Sequence, residues 1–552
     1  MDGRRLDITR GIVYLVGAGP GDPKLLTIRG QELLRVADLV VYDRLVAPRL
    51  LKERSSKAKV IYVGKEADQH ASSQAAINRL LIRAARCGKT VVRLKGGDPF
   101  LFGRGGEEAL ALAKANVAYE VVPGVTSAIA VPAYAGIPVT HRELSSSVAI
   151  VTGHEDPTKP GSAIRWEPLA TACDTLVFLM GVSTLPGVVA QLRRHGRGAR
   201  TPCAVIEWGT RPRQRTVAGS LSTIVRRVKQ AAIRPPAIFV VGEVVSLRRR
   251  LNWFETKPLF GKRILVTRAS EKAASLSGQL EALGAEVEEL PAIELVPVKP
   301  NGLFRQALRE IPKTDWVFFT SPEGIGWFAR MLKPHRKDVR WLSGCHIGAI
   351  GPKTAAAIEE AGLHVDFVPR RFSQEGIVQE LPRRVLDGKR ALILSAEESR
   401  DVLQAGLRER GMQVTKVPIY RTVVPKRMRA SMAALFNEPF DFITVTSASC
   451  VDHLFDALQA LGPSTRPAAG GTRSVLRLRS GPSPERESRD SGFRPQGKPV
   501  GLHRQSPFAR LRFASIGPVT SRAVRSHGGR VALEAKTSTI EGLVEALVRT
   551  RR

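Results

Sequence analysis

The stretch Arg93-Leu94-Lys95-Gly96-Gly97-Asp98-Pro99-Phe100-Leu101-Phe102-Gly103-Arg104-Gly105-Gly106-Glu107-Glu108 constrains the fold of this chain more than any other. It follows the β-branched run Thr90-Val91-Val92 and leads into Glu107 to Ala115, whose Ala and Leu content favours helix. A buried strand, a glycine-rich turn and a helix therefore meet here. Gly96 and Gly97 let the backbone approach a ligand closely, and the amides of the turn and the helix start can face an anion or a polar group. Asp98 adds a carboxylate suited to a hydroxyl or a cation. Taken alone, such a turn is more often a loop constraint than a ligand site.

The same grammar opens the chain. Gly11 to Val16 reads as a strand, Gly17-Ala18-Gly19-Pro20-Gly21-Asp22-Pro23 as a turn, Leu25 to Ala37 as a helix and Leu39 to Asp43 as a second strand. A dinucleotide fold is the obvious first guess. That fingerprint needs glycine at its sixth position, where Asp22 would repel a pyrophosphate, and Pro20 and Pro23 stiffen the loop. The nicotinamide and flavin readings are set aside. Two further strands, Val60 to Lys65 and, beyond the Thr90 run, Tyr119 to Val122, follow the same plan, the latter running into Pro123-Gly124-Val125-Thr126-Ser127-Ala128. Asp43, Lys65 and Asp98 then stand at strand ends on one side of a parallel sheet, the edge where open α/β folds bind ligands.

Composition bounds the rest. At 552 residues the chain exceeds a single core, and about two to four domains are expected. The formal net charge of +34 suits a polyanionic partner: nucleic acid, anionic lipid, or a small substrate with many carboxylates. Cys87, Cys173, Cys203, Cys345 and Cys450 are scattered and form no C-x-x-C pair, which argues against a disulfide framework or a metal site and for a reducing cytoplasm. No apolar run approaches the roughly 18 residues of a membrane span. Asp2 and Asp7 among the basic N-terminal residues speak against a signal peptide.

Five runs now carry a resemblance: Val16 to Asp22, Val41-Tyr42-Asp43-Arg44-Leu45-Val46, Tyr62-Val63-Gly64-Lys65, the Arg93 to Glu108 block, and Gly136-Ile137-Pro138-Val139-Thr140-His141-Arg142. With Val151 to His154, Leu179-Met180-Gly181, Gly209-Thr210 with Gln214, and Pro236 to Val245, they resemble the uroporphyrinogen-III C-methyltransferases over residues 10–255. The resemblance implies a two-lobed tetrapyrrole-methylase fold, a homodimer, and S-adenosylmethionine in the cleft between two α/β lobes. It further implies cofactor contacts from Pro20, Gly96, Gly97, Asp98, Leu101, Thr126, Ser127, Met180 and Gly209, with Asp43 as proton acceptor and Lys65 as proton donor. Asp43 has the alternative of a loop cap, and Lys65 that of a salt bridge or carboxylate anchor. The family methylates uroporphyrinogen III, whose eight carboxylates give the positive charge a purpose. Arg104, His141 and Arg142, with Arg29, Arg44 and Arg93, are candidates to meet them.

Residues 256–261 read as a linker, and Arg263 to Arg268 starts a fresh strand. The second half carries an internal repeat: Trp316 to Ile325 resembles Phe442 to Val451, and Ile347 to Thr354 resembles Phe513 to Thr520. With Leu392 to Ser395 and Val417 to Thr422, these motifs resemble uroporphyrinogen-III synthase over 262–552. The resemblance implies one lobe from 262–295 plus 422–552, another from 296–421, and closure of hydroxymethylbilane to uroporphyrinogen III. It gives Tyr420 the role of assisting hydroxyl departure and Thr520 a place in the cleft. Thr320, Ser321, Thr446 and Ser447, at strand ends, are candidates to bind substrate carboxylates, with turn capping as the alternative.

One departure stands out. Ser321 to Gly351 spans 30 positions and Ser447 to Gly517 spans 70. Residues 463–512 are rich in Arg, Ser, Pro and Gly and lack periodicity, so a disordered basic insertion is expected. It lacks the aromatic interleaving of a nucleic-acid arm, and no nucleic-acid partner is expected. The sequence thus points to an α/β enzyme with two activities serving sirohaem or cobalamin synthesis, without a metal. Its rival is a methyltransferase whose synthase half, spoiled by the insertion, serves as scaffold.

Overall fold

The computed structural model describes residues 11–64, 73–154, 162–268, 270–299, 302–382, 386–425, 438–460 and 511–551, with single positions between 428 and 436. Lys65 and residues 463–510 lie outside this set. The chain divides into two compact units, the first Met1–Lys262 with Leu280–Glu286 and the second Arg263–Gln279 with Val287–Thr550.

The first unit holds two sheets. Strands β1 (Ile12–Gly17), β2 (Leu39–Tyr42), β3 (Lys59–Tyr62), β4 (Thr90–Lys95) and β5 (Ala118–Val122) form one, ordered β3-β2-β4-β1-β5 and parallel throughout. Alternate residues serve opposite faces. Val13, Leu15, Val41 and Val91 join one core and Val16, Val40, Val92 and Leu94 another, which is why these strands read as continuous apolar runs. Helices Ile28–Val36 and Gln74–Arg86 begin at Thr27 and Ser73, whose hydroxyls accept the amides of Gly30 and Ala76.

The second sheet joins β6 (Val148–Thr152), β7 (Thr175–Leu179), β8 (Pro202–Glu207), β9 (Arg215–Ser220) and β10 (Ala237–Val241) in the order β6-β7-β10-β8-β9. It is mixed, since β10 runs antiparallel to both of its neighbours. Helix Ser127–Tyr134 follows β5 yet packs Ala128 and Val131 into the core of this second lobe.

Close backbone contact locks the parallel sheet at its C-terminal edge. Gly97 donates its amide to Gly19 O at 2.7 Å and accepts that of Gly19 at 3.2 Å. A Cβ on Gly124 would lie 2.3 Å from Gly97 O and 2.6 Å from Gly17 Cα. Three turns thus meet with no room for a methyl group.

The second unit also holds two sheets. Strands β11 (Arg263–Val266) and β12 (Glu286–Glu289) open one, and β13 (Glu294–Pro297), β14 (Trp316–Phe319), β15 (His346–Ala349), β16 (Arg390–Ala396) and β17 (Gln413–Val423) form the other in the order β13-β17-β16-β14-β15. The chain then returns with β18 (Phe442–Val445), β19 (Arg512–Ser515) and β20 (Arg530–Glu534), completing β12-β11-β18-β19-β20. Because β13 pairs antiparallel with β17, placing Glu294 opposite Val423, the crossings fall before Glu294 and after Val423 and not at 295/296 and 421/422.

The repeat has a structural counterpart. β14 pairs parallel with β15, β18 with β19, and each of the four strands is followed by a helix: Pro322–Leu332, Pro352–Glu360, Ala448–Ala460 and Pro518–Ser526. The extra residues therefore lie between a helix and a strand that both remain in place. Arg512, assigned by sequence to the insertion, is the first residue of β19.

Gly124→Ala should lower the stability of the first unit by about 1–3 kcal/mol through overpacking, measured as a reduced urea midpoint. Gly106→Ala is the control: it sits in helix Gly105–Lys114 with nothing within 4 Å of an added Cβ, and it should be neutral or stabilising.

Candidate functional site

The C-terminal edge of the parallel sheet and the second lobe of the first unit enclose a cavity of about 500 Å³. All nine residues expected to contact the cofactor line it, drawn from five separate turns. Leu45, Phe102, Trp208, Arg211 and the Pro235 to Ile238 stretch also line it, and the sequence reading had not singled them out. Leu45, Phe102 and Pro236 lay inside quoted motifs. Trp208 and Arg211 only flanked one.

The walls are shaped by unusual backbone. Phe102, Met180 and Trp208 line the cavity with φ of 53°, 58° and 49°, and Thr210 beside it has 66°. Residues with a Cβ adopt this left-handed region at a cost, and such outliers collect where a ligand site is built. Gly209 is obligatory for space: its Cβ would sit 2.2 Å from Val131 Cγ1. Gly97, with φ of 68°, has nothing nearer an added Cβ than Ser127 N at 3.8 Å, so a side chain there would enter the cavity.

Asp98 has a role beyond a ligand contact. Its Oδ1 accepts the amides of Phe100 and Leu101 at 2.8 and 3.1 Å, and its Oδ2 accepts the amide of Gly124 at 3.0 Å. One carboxylate therefore ties the turn after β4 to the turn after β5. Asp22 is a second strut, spanning the lobes. Its amide donates to Thr210 Oγ1 at 3.1 Å and its Oδ2 accepts the Tyr134 phenol at 2.9 Å. Burial and the Asp22 charge push the Tyr134 hydroxyl well above the ordinary phenol range.

Asp43 directly follows β2 and caps a charge cluster whose other members are buried. Its Oδ1 accepts Arg93 Nη2 at 2.7 Å, and Arg93 Nε donates to Glu108 Oε1 at 3.2 Å. Lys95 Nζ and Gln74 Nε2 reach the same Glu108 oxygen at 3.0 and 3.1 Å. Arg93, Lys95 and Glu108 are essentially shielded from solvent, so Arg93 is a structural partner and not a free cleft arginine. Burial, then the Arg93 charge, push the Lys95 amine down. Two cations and two carboxylates leave the cluster neutral, the condition under which such burial is tolerated.

Arg104, His141 and Arg142 do not line the cavity wall. Arg104 forms a fork with exposed Glu107 at 2.8 and 2.7 Å, whose carboxyl it holds below the usual range. His141 Nδ1 accepts the Glu143 amide at 3.3 Å, and Arg142 is exposed.

In the second unit the structure gathers the predicted residues into two groups. Tyr420, at the end of β17, is buried and donates its phenol to Ser321 Oγ at 2.8 Å. Burial raises its pKa, so the hydroxyl keeps its proton. Thr320 and Ser321 directly follow β14 of the same sheet. Ser321 leaves the start of helix Pro322–Leu332 without a side-chain cap, and Gly351 and Gly517 do the same for helices Pro352–Glu360 and Pro518–Ser526. Thr446, Ser447 and Thr520 belong to the other sheet's edge. Ser447 Oγ accepts the Cys450 amide at 3.2 Å, and Thr520 is only 4% exposed. No hydrogen bond joins the two groups among the described residues.

Asp98→Ala would strand three backbone donors, so a loss of about 1–3 kcal/mol is expected in the unfolding of the first unit, checked by urea titration. Asp98→Asn, which keeps two acceptor lone pairs, should lose less.

Comparison with known proteins places both halves. A family model for tetrapyrrole (corrin/porphyrin) methylases matches residues 12–225, and one for uroporphyrinogen-III synthase HemD matches residues 274–497. A porphyrin biosynthesis protein HemD of Ruminiclostridium josui is 41% identical over 445 residues, 80% of this chain and 88% of that protein. A uroporphyrinogen-III C-methyltransferase of Bacillus subtilis (strain 168) is 43% identical over 382 residues, 69% of this chain and 76% of that protein. An S-adenosyl-L-methionine-dependent uroporphyrinogen III methyltransferase of Methanosarcina barkeri is 53% identical over 237 residues, 43% of this chain and 93% of that protein. With a family model matched in each half and relatives spanned along most of their length, the chain belongs to the tetrapyrrole methylases in its first half and to the uroporphyrinogen-III synthases in its second.

Proposed function

We propose that the first half transfers methyl groups from S-adenosylmethionine to C2 and C7 of uroporphyrinogen III, giving precorrin-2, and that the second half makes uroporphyrinogen III from hydroxymethylbilane. The observation that carries this reading is the convergence of five turns on one cavity, kept open where Gly97 presents no side chain to it. The cavity suits the cofactor: it offers apolar Leu101, Met180 and Ile238 for an adenine, and backbone amides for polar edges. Bound there, S-adenosylmethionine supplies an electrophilic methyl group to an electron-rich pyrrole carbon.

The chain's own residues align the partners and manage a proton. Asp43, pinned by Arg93, is the acceptor for the proton lost from the methylated ring. Lys65 is the proposed donor, and Arg104, His141 and Arg142 are proposed anchors for carboxylates outside the cavity. In the second half the Tyr420 phenol, protonated and steadied by Ser321, protonates the departing hydroxyl. The uncapped helix starts, with Thr320, Ser321, Thr446, Ser447 and Thr520, receive the carboxylates of the bilane.

A homodimer through the first half is part of the proposal. Phe100, Phe102, Val125 and Ile129 are large apolar side chains left 36–55% exposed around the turns that Asp98 ties together. A cytoplasmic setting fits the scattered cysteines, none in a C-x-x-C pair. No helix among the described residues is long and apolar enough to cross a membrane.

A single assay tests the reading. Full-length protein given hydroxymethylbilane should form the type III isomer without cofactor and precorrin-2 with it. Type I isomer alone, with methylation only of added uroporphyrinogen III, would leave the scaffold reading of the second half. Asp43→Asn should lower kcat of methylation by about 100-fold or more while S-adenosylhomocysteine affinity stays unchanged. Tyr420→Phe should depress type III formation from bilane by roughly 100-fold and leave methylation of uroporphyrinogen III intact.

A further inference from the structure

Arg211 stands in the turn after β8 and lines the cavity from the second lobe. Its guanidinium lies over the Trp208 ring at 5.0 Å from the centroid, with Arg213 over that ring at 4.1 Å. Its Nη2 donates to Leu45 O of the first lobe at 3.2 Å. The position is confined: a Cβ on Gly21 would come within 3.0 Å of Arg211 Nε.

The acids around the cavity are already engaged. Asp43 holds Arg93, Asp98 holds three amides, and Asp22 holds the Tyr134 phenol and the Lys24 amide. Arg211 consequently makes no ion pair with a described residue, and its fixed carbonyl contact answers one of five N–H groups. Arg44 reaches the same cavity from the first lobe, beside Leu45, also without an ion pair to a described residue. A half-buried cation stacked in one orientation, with no ion-pair contact to a described residue and only the more distant charge of Glu286 acting on it, is built for an anionic ligand.

We infer that Arg211 is a specificity-determining residue of the methylase, taking a carboxylate of the tetrapyrrole ring edge on the free side of its guanidinium, with Arg44 closing on the same edge. This rests on the methylase reading above. The indole beneath Arg211 fixes the plane of the fork, and the Leu45 contact fixes its reach, so a carboxylate is met in a bidentate geometry with little ordering left to do. The role is in substrate recognition and not in cofactor binding.

The test uses the full chain. Arg211→Met should raise KM for uroporphyrinogen III about 10–100-fold, the loss of a charge-assisted pair, with kcat within about threefold and S-adenosylhomocysteine affinity, measured without tetrapyrrole, within about twofold. Arg213→Met, which removes the other stacked cation, should leave KM within about threefold. An unchanged KM in Arg211→Met overturns the inference, as does an equal loss of cofactor affinity, which would make Arg211 only a latch between the lobes. An equal rise in Arg213→Met overturns it too, since the stack alone would then be responsible. Should Arg211→Met not fold, Arg211→Lys carries the same comparison: KM rises about 3–10-fold because the charge stays and the fork is lost, and wild-type KM overturns the inference. If the wild-type chain transfers no methyl group to uroporphyrinogen III, the functional reading fails separately. Quenching of tryptophan fluorescence by uroporphyrin III, the oxidised octacarboxylate, then still decides whether Arg211 holds a polycarboxylate, with a tenfold weaker affinity expected for Arg211→Met and equal affinity overturning it.

Discussion

Contact of backbone with backbone at Gly17, Gly97 and Gly124 is the constraint from which the first half follows. Parallel strands end in turns, and here three turns are pressed together until no side chain fits between them. The paired amides of Gly19 and Gly97 hold that junction, and the Asp98 carboxylate spans the gap to Gly124. The junction forms one rim of the cavity. Side chains of varied size do not set that rim, so it is defined by peptide geometry, which changes little with thermal motion or with substitutions nearby.

The opposite rim is made differently. Trp208, Met180 and Thr210 hold left-handed backbone, and Gly209 yields its space to Val131. The struts at Asp22 and Arg211 bring this strained turn to the first lobe through hydrogen bonds to Thr210 and Leu45. A rigid rim thus faces a strained one. Beneath the rigid rim, Arg93, Lys95, Glu108 and Asp43 form a neutral cluster, so the large positive charge of the chain is an exterior property and does not reach into this core.

Much of this was legible in the sequence because its cause is local. Continuous apolar strands, glycines at their ends and an Asp at the sixth position of the first turn specify a parallel sheet with a closed ligand edge, and the structure has that sheet. What escaped was long-range. Nothing local told that Arg93 would be buried against Glu108 and Asp43, that helix Ser127–Tyr134 would serve the second lobe, or that Arg211 would reach Leu45, because each depends on residues well separated in the chain. The ends of the 463–512 segment and the lobe crossings were displaced by a few residues for a related reason: pairing partners, such as Glu294 with Val423, decide where a strand begins.

The strand order of the second unit has a consequence for synthesis on the ribosome. The first half closes each of its sheets from nearby segments, residues 12–122 for one and 148–241 for the other. Strand β11 has only β12 close in sequence, and its other partner is distant: the Arg263 amide bonds Asp441, 178 residues later, and Ile264 to Val266 align with Phe442 to Thr444. At about 5–20 residues per second the ribosome needs on the order of 10 to 40 s to make that partner. During this interval the sheet of β11 lacks β18, β19 and β20, and the second unit cannot complete it until those strands emerge. The order of the two halves along the chain therefore puts first the unit whose sheets close from nearby segments, and second the one that waits on a long-range pairing.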